Sequence, residues 1–335
     1  MTKKKAGFNF WERNRLSNGY LLRKKATKVS VSILRAILLF GLCFLILQPV
    51  LNKISVSFMD EKDLYNPIVV SIPQNFTTAN YRLAADAEIM DYSNSLRNSI
   101  IIATTIALLQ IAMCTLVGYG FARFKFPFKK FWFAMVILVI IIPPQTISSS
   151  LYLHFQFFDI FGIIEGISGE PLNLRGSFVP YYLISAGCMG LKNGLYIYMV
   201  RQYFRNIPID LEEAAYIDGC GTLKTFVRIM LPQAKPIITS CFLFAFVWQW
   251  TDGFYAKLFF QGVKLVSRQL ANIVASLGVF IGRVQGSDGP ATITTARSNQ
   301  ILSTGTLMIV FPVIFLYLFA QRQFVESLSS TGIKM

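Results

Sequence analysis

The segment between two long apolar runs reads Asn206-Ile-Pro-Ile-Asp-Leu-Glu-Glu-Ala-Ala-Tyr-Ile-Asp-Gly-Cys-Gly-Thr-Leu-Lys-Thr-Phe-Val-Arg-Ile-Met-Leu-Pro232. Asp210 is a favourable helix N-cap, and Glu213 three positions later completes a variant of the capping box. Gly219 follows an aspartate and breaks this first helix. A second short helix fits residues 222–230, and Pro232 is expected to end it. The quoted stretch is therefore predicted to form a helical hairpin.

Long apolar stretches lie on both sides of this hairpin. Of the 335 residues, 54% are hydrophobic and only 15% are charged, whereas soluble domains carry about 25% charged residues. A helix that crosses the hydrocarbon core needs roughly 20 mostly apolar residues. Stretches of about this length are 31–51, 99–118, 131–153, 178–200, 237–260 and 301–320. The sequence therefore predicts an all-α polytopic membrane protein with six transmembrane helices and both termini on one side.

The placement of the basic residues predicts the orientation in the membrane. The net charge is +15, and residues 1–35 carry many lysines and arginines but a single acid, Glu12. The links after the second and fourth apolar stretches are also basic, so these links and both termini are predicted to be cytoplasmic. Residues 1–30 then form a basic cytoplasmic tail and residues 31–335 the transmembrane domain. This placement favours anionic membrane lipid over nucleic acid as a partner of the tail.

The outer segments are predicted to be mostly irregular. Residues 52–94 are expected to pack as a small cap with short helices. The segment between the fifth and sixth apolar stretches contains Gly282, Gly286, Gly289 and Pro290 among many serines and threonines, and it is predicted to be an irregular loop.

The sequence contains no pattern typical of catalysis or metal binding. The run from Gly219 to Thr225 superficially resembles a phosphate-binding loop, but Leu223 stands where that loop needs a glycine before its lysine. His154 is the only histidine, and no HExxH or CxxC pattern is present. We therefore predict that the chain is not an enzyme and holds no metal or cofactor of its own.

Polar side chains inside the predicted spans are candidates for a solute path. A charge at the centre of a span costs about 2.5–3.5 kcal/mol on insertion scales and usually faces a bundle interior or a cavity. The candidates are Lys192, Asn193, Trp250 and Asp252. Packing between helices, gating contacts with a partner subunit or an interfacial aromatic belt is the alternative, and the position of Asp252 near the outer interface favours it.

Several motifs together resemble one transporter family. Glu213-Ala214-Ala215, Gly219, Ile229 and Leu231-Pro232 resemble the EAA signature of permease subunits of binding-protein-dependent ABC importers. Other motifs are similar to the carbohydrate branch of that family, the group of the smaller maltose-type permease subunit. They are Asn94-Ser-Leu-Arg-Asn-Ser99, Gly118-Tyr-Gly-Phe-Ala-Arg-Phe-Lys-Phe-Pro127, Pro143-Pro144, Arg201-Gln202 and Gln321-Arg-Gln-Phe-Val-Glu-Ser327.

The resemblance implies a type I importer permease in a bacterial plasma membrane that carries sugars or oligosaccharides by alternating access. The implied partners are a second permease subunit, two ABC ATPase subunits that hold ATP and Mg²⁺, and an extracytoplasmic solute-binding protein. Its ATPase-coupling residues would be Glu213, Ala214, Ala215, Asp218, Gly219, Ile229, Leu231 and Pro232. An ABC permease for amino acids or another polar solute and an ATP-independent secondary transporter remain the alternatives.

Overall fold

The computed structural model describes residues 14–69, 72–260 and 262–332, with side chains up to residue 322. It divides into two compact units, residues 1–76 and 77–335. In the first unit, α1 spans Tyr20–Ser57 and the short α2 spans Glu61–Leu64. At about 1.5 Å per residue, the 38 residues of α1 extend roughly 57 Å. This helix begins well before the apolar stretch 31–51, so the end of the predicted tail is helical.

The second unit is helical throughout its described regular structure. Its helices are α3 Ala79–Ala85, α4 Tyr92–Arg123, α5 Lys129–Ile141, α6 Ser148–Gln156, α7 Ile163–Ser168, α8 Val179–Ala186, α9 Asn193–Asn206, α10 Asp210–Ile217, α11 Thr222–Thr225, α12 Lys235–Trp250, α13 Phe254–Phe259, α14 Val266–Val284 and α15 Thr295–Gly332. A 3₁₀ turn at Pro144–Ile147 precedes α6. A π-helical turn at Phe226–Met230 and the turn Leu231–Gln233 extend α11.

The long helix α4 is the centre of this unit. Its buried side chains pack against α9 and α12, and the latter packs in turn on α15. Gly118 marks the closest approach of α4 to α9, because a Cβ atom there would lie 2.8 Å from Val200 Cγ1 and 3.2 Å from the Arg201 backbone nitrogen. The backbone of α4 at Gly118 therefore packs directly against the Val200 side chain of α9, and no side chain of α4 lies between them.

Replacing Gly118 with leucine is expected to force α4 and α9 apart. Overpacking of this kind costs about 1–3 kcal/mol, so the melting temperature of the purified protein should fall by about 1–4 °C. Gly120→Leu is the matched control, since a Cβ atom at Gly120 meets only Phe124 Cδ2, at 3.8 Å. Equal melting temperatures for the two variants would contradict the close approach.

The membrane-spanning segments are less regular than the sequence predicts. Among the described residues, α1, α4 and α15 are each long and apolar enough to cross a membrane. Two further spans arise if bent helix pairs count as one span each. These pairs are Lys129–Ile141 with Pro144–Gln156, bent by 98°, and Thr222–Gln233 with Lys235–Trp250, bent by 75°. The presence of apolar helices long enough to cross a membrane is thus confirmed, while the count of six spans stays a prediction.

Three of the predicted spans are not continuous helices. The stretch 131–153 breaks at Pro143-Pro144, where proline removes backbone donors. The stretch 178–200 is divided between α8 and α9 by residues 187–192, and Lys192 there has a φ of +62°. The stretch 237–260 is helical to Trp250, where a turn separates α12 from α13.

The prediction of an irregular loop between the last two apolar stretches was wrong. The helix α14 occupies 19 residues of it. Its apolar side chains recur at helical spacing, and Val266, Ile273 and Leu277 are buried. Glycine and serine content hid this periodicity. Two ion pairs join α14 and the residues just before it to the segment that precedes α4, Lys264 Nζ to Asp91 Oδ2 at 2.9 Å and Arg283 Nη1 to Glu88 Oε1 at 2.5 Å.

Candidate functional site

The predicted hairpin is present, with a different start and end. Asp210 lies in the first turn of α10 and not at its N-cap, which is Ile209, and no side chain caps this end. The capping-box prediction was therefore wrong: the amides of Glu212 and Glu213 donate to the backbone oxygen of Ile209, at 2.9 and 3.1 Å. Pro232 does not end the second helix either. It lies in the first turn of the segment Leu231–Gln233, where its missing N–H is tolerated.

The turn between α10 and α11 needs glycine for its backbone conformation. Gly219 has a φ of +78°, while a Cβ atom at this position would meet nothing within 4 Å. The turn is closed by hydrogen bonds from the amide of Gly219 to the oxygen of Tyr216, at 3.1 Å, and from the amide of Cys220 to the oxygen of Ala215, at 2.9 Å. A left-handed φ strains most L-residues. Glycine is therefore favoured at position 219 because of the backbone conformation and not because of limited space.

The hairpin exposes an apolar surface, which we call the hairpin face. It consists of Ile209, Leu211, Tyr216, Ile217 and Leu223. Ile217 and Leu223 are the most open of them, with 86% and 74% of their surface exposed. Apolar clusters at the tip of a polar loop typically mark interaction surfaces.

The predicted coupling residues separate into two groups. Most members of the first helix and turn are at the surface, namely Glu213, Ala214, Asp218 and Gly219, whereas Ala215 is buried. In the second helix, Ile229 and Leu231 are half-buried against the core and Pro232 is exposed. The exposed members of the first group therefore lie between the residues of the hairpin face, and the apolar members of the second group pack against the helical core.

Two residues absent from the predicted site hold the hairpin in place. Arg123 Nε lies 3.1 Å from Glu212 Oε1, and both side chains are nearly buried, with 10% and 6% exposed. Arg123 Nη2 also donates to the backbone oxygen of Ile207 at 2.7 Å. Two adjacent acids on a helix point in different directions, but the sequence does not indicate which of Glu212 and Glu213 faces the interior of the protein.

The intramembrane candidates do not come together at one site. Lys192 is exposed, and its Nζ lies 4.9 Å from the ring centre of Trp248. Trp250 is buried and donates through Nε1 to the backbone oxygen of Ile309 at 3.1 Å. Asp252 is buried and accepts hydrogen bonds from the first amides of α13, those of residues 254, 255 and 256, at 3.0–3.2 Å.

Asn193 instead belongs to a buried set of hydrogen bonds, which we call the central polar chain. Gln110 of α4 donates through Nε2 to the backbone oxygen of Leu191 at 2.6 Å, and to Asn193 Oδ1. Gln249 of α12 donates to Gln110 Oε1 at 3.1 Å. These bonds join α4, the break before α9 and the end of α12.

The central polar chain continues through α8 to the residues just before α13. The hydroxyl of Tyr181 in α8 hydrogen-bonds to Gln249 Oε1 and lies 3.2 Å from Asp252 Oδ2. The first half of the broken fourth stretch is therefore bonded directly to the end of α12, and the second half is linked to it through Gln110. Gln110, Tyr181 and Gln249 were missed because isolated amides and hydroxyls in apolar runs carry no spacing signal.

A cavity of about 200 Å³ lies beside the two helix breaks. Pro143, Pro144, Gly190 and Lys192 are among its lining residues, and the rest are mostly apolar. Of the four predicted path residues, only Lys192 lines it. Within the described ranges, no cluster of three or more His, Cys, Asp or Glu side chains is suited to hold a metal ion.

Comparison with known proteins places the chain in a family. The family model described as the binding-protein-dependent transport system inner membrane component matches residues 114–329, well over half of the chain. This chain belongs to that family. The resemblance that the sequence motifs carried is thereby confirmed. As a member, the chain is an inner membrane transport component.

Curated relatives agree with this assignment, and a solved structure shares the fold. A probable ABC transporter permease of Pyrococcus horikoshii is 30% identical over 189 residues, 56% of this chain and 62% of that protein. The melibiose/raffinose/stachyose import permease MelC of Bacillus subtilis is 29% identical over 72% of this chain and 76% of its own. A bacterial ABC transporter involved in the import of the acidic polysaccharide alginate shares the fold, with a TM-score of 0.64 and 18% identity over 88% of this chain and 97% of that chain.

Proposed function

We propose that this chain is the transmembrane permease subunit of an ATP-driven, binding-protein-dependent importer of sugars or oligosaccharides. Family membership supports the transport role. The sugar class is supported by relatives named as permeases for maltodextrin, for melibiose, raffinose and stachyose, and for arabinooligosaccharides. The observation that carries the ATP-driven part is the hairpin face, an exposed apolar surface on the same hairpin that contains the EAA signature.

The proposed assembly contains a second permease subunit, two ABC ATPase subunits and an extracytoplasmic solute-binding protein. In one solved relative, an alginate ABC transporter, the complex includes an alginate pentasaccharide-bound periplasmic protein. ATP and Mg²⁺ would be held by the ATPase subunits, so this chain would make and break no covalent bond. We place six spans in a bacterial plasma membrane, with both termini and the hairpin in the cytoplasm, as the basic residues predict.

In the proposed mechanism the hairpin face docks in a groove of the ATPase. Its apolar side chains lose contact with water on docking, at about 25 cal/mol per Å² of apolar area buried. Exposed Glu213 offers a carboxylate to a basic partner residue, and exposed Ala214 permits close approach. Closure of the ATPases moves the hairpin, and the helices attached to it change from inward-open to outward-open.

Of the four residues predicted to line the solute path, we retain only Lys192, together with the cavity beside it. Lys192 lies over the exposed ring of Trp248, and an aromatic face with a cation suits a hydroxyl-rich or acidic solute. The packed positions of Asn193, Trp250 and Asp252 support the alternative role in helix packing for those three residues.

The test combines uptake with co-purification of the ATPase. Gly219→Val places a β-branched residue at a φ of +78°, which costs about 1–3 kcal/mol of backbone strain in the turn. We expect loss of the co-purified ATPase and of uptake of labelled maltodextrin, raffinose and arabinooligosaccharides, with normal insertion in the membrane.

Gly221→Val is the matched control for this test. Gly221 has a φ of −74°, which valine adopts readily, and a Cβ atom there meets nothing within 4 Å. It should keep both the ATPase and uptake. Full association and uptake in Gly219→Val would contradict coupling through this hairpin, and a wild-type chain that imports none of the panel would contradict the sugar class.

A further inference from the structure

The cytoplasmic end of α4 is bonded directly to the hairpin. Arg123 is the last residue of α4, and its guanidinium reaches both Glu212 inside α10 and the backbone oxygen of Ile207 just before it. Charged side chains at the end of a membrane helix can usually reach water, yet both Arg123 and Glu212 are nearly buried. A buried ion pair that keeps its partners this close is a specific attachment, since each charge would be costly without the other.

Aromatic packing strengthens the same attachment. The ring of Tyr119, one turn before Arg123, packs on Phe204 of α9 at 5.3 Å and on Phe226 of the second hairpin helix at 4.7 Å between ring centres. Arg201 Nε lies 3.4 Å from the backbone oxygen of Phe121. The hairpin, α4 and α9 are thus packed together, whereas the hairpin face on the opposite side of α10 has no apolar cover among the described residues of the second unit.

The two adjacent glutamates of α10 have different surroundings. Glu213 is exposed, and no described basic side chain forms an ion pair with it, while Glu212 is buried against Arg123. Neighbouring residues of a helix point about 100° apart, so one acid faces the ATPase side and the other faces the membrane helices. Glu212 therefore attaches α10 to α4, and Glu213 is available to a partner subunit.

We propose that the Arg123–Glu212 ion pair is the link that transmits movement of the hairpin to α4. This inference rests on the proposed function, because it requires an ATPase to move the hairpin. From Arg123, α4 runs about 20 Å to Gln110 at about 1.5 Å per residue. Gln110 is bonded to the helix break at Leu191 and Asn193. A displacement of the hairpin is in this way delivered by a rigid helix to the central polar chain. Arg123 and Glu212 are positioning residues and touch no solute.

The test measures ATP hydrolysis and sugar uptake in the same vesicles. The complete complex, purified through this chain, is reconstituted with its binding protein and supplied with the sugar that the wild type imports from maltodextrin, raffinose and arabinooligosaccharides. In Glu212→Gln and Arg123→Gln the hairpin face is intact, so the ATPase stays bound and active. Uptake is expected to fall about tenfold while hydrolysis changes little, so that more ATP is consumed per sugar.

A double variant and a matched control make the outcome specific. Arg123→Gln/Glu212→Gln should be no worse than either single variant, because each already breaks the same link. Asp210→Asn removes an exposed acid of the same helix and should leave the ratio of ATP to sugar unchanged. Unchanged uptake in the single variants, a proportional fall of uptake and hydrolysis, or additive losses in the double variant would each overturn the proposal.

A milder variant covers the case in which Glu212→Gln reduces assembly. Arg123→Lys keeps the positive charge but lacks the forked guanidinium that reaches both Glu212 and the oxygen of Ile207. It should show an intermediate ratio, and full coupling in it would contradict the link. A wild-type complex without an ATPase would overturn the proposed function and this inference together, whereas a coupled wild type with an equally coupled Glu212→Gln would overturn the link alone.

Discussion

Ile217→Asp should abolish both ATPase association and sugar uptake while leaving the protein folded. Ile217 is the most exposed residue of the hairpin face, with 86% of its surface open. A carboxylate placed there would have to enter an apolar groove without a partner, which costs several kcal/mol. The measurement is the amount of ATPase that co-purifies with the variant, together with uptake of the labelled sugar panel.

A control with the same substitution separates docking from general damage. Ile167 lies on the short helix α7, in a segment predicted to be outside the cell, and 82% of its surface is exposed. Ile167→Asp should retain the ATPase. Both variants should melt within about 1–2 °C of the wild type, since exposed substitutions change stability by roughly 0.5 kcal/mol or less. An Ile217→Asp variant that still holds the ATPase would show that the hairpin face is not the docking surface.

Gln110→Leu is expected to have the largest effect on stability. Gln110 is fully buried and satisfies the backbone oxygen of Leu191, the side-chain oxygen Oδ1 of Asn193 and the side-chain Nε2 of Gln249. Leucine fills a similar volume but leaves these groups without partners inside the helix bundle. The cost is about 2 kcal/mol or more, because each unsatisfied buried group costs roughly 1–3 kcal/mol.

Thermal unfolding of the purified protein measures this effect. A loss of about 2 kcal/mol lowers the melting temperature of a protein of this size by about 3 °C. Gln202→Leu is the control, because the Gln202 amide makes only long contacts, at 3.4 and 3.5 Å, near the surface. A variant at position 110 as stable as the one at position 202 would mean that the central polar chain contributes little to the fold.

The transmembrane character and the hairpin could be predicted from local sequence. Apolar runs of membrane-spanning length follow from hydrophobic burial alone, and the turn at Gly219 follows from its unique backbone freedom. The motif around Glu213 led to the family that the comparisons confirm. These features depend on residues close together in the chain, so a single sequence contains them.

Side-chain orientation and helix interruptions could not be predicted in the same way. Trp248 and Trp250 are two residues apart, yet the first is exposed beside Lys192 and the second is buried against Ile309. The break before α9 is stabilised by Gln110, which lies more than 75 positions earlier in the chain. Such long-range bonds carry no local pattern.

The class of protein follows from local sequence: a helical membrane component with a hairpin of the EAA type that turns at a glycine. Tertiary packing, in contrast, determines which side of each helix faces the interior of the protein. Glu212 and Glu213 are chemically identical neighbours, and packing against Arg123 alone makes the first an internal attachment and leaves the second at the surface. The reason is that a helix turns its neighbours about 100° apart, and only the elements packed on it determine which of those directions is the interior.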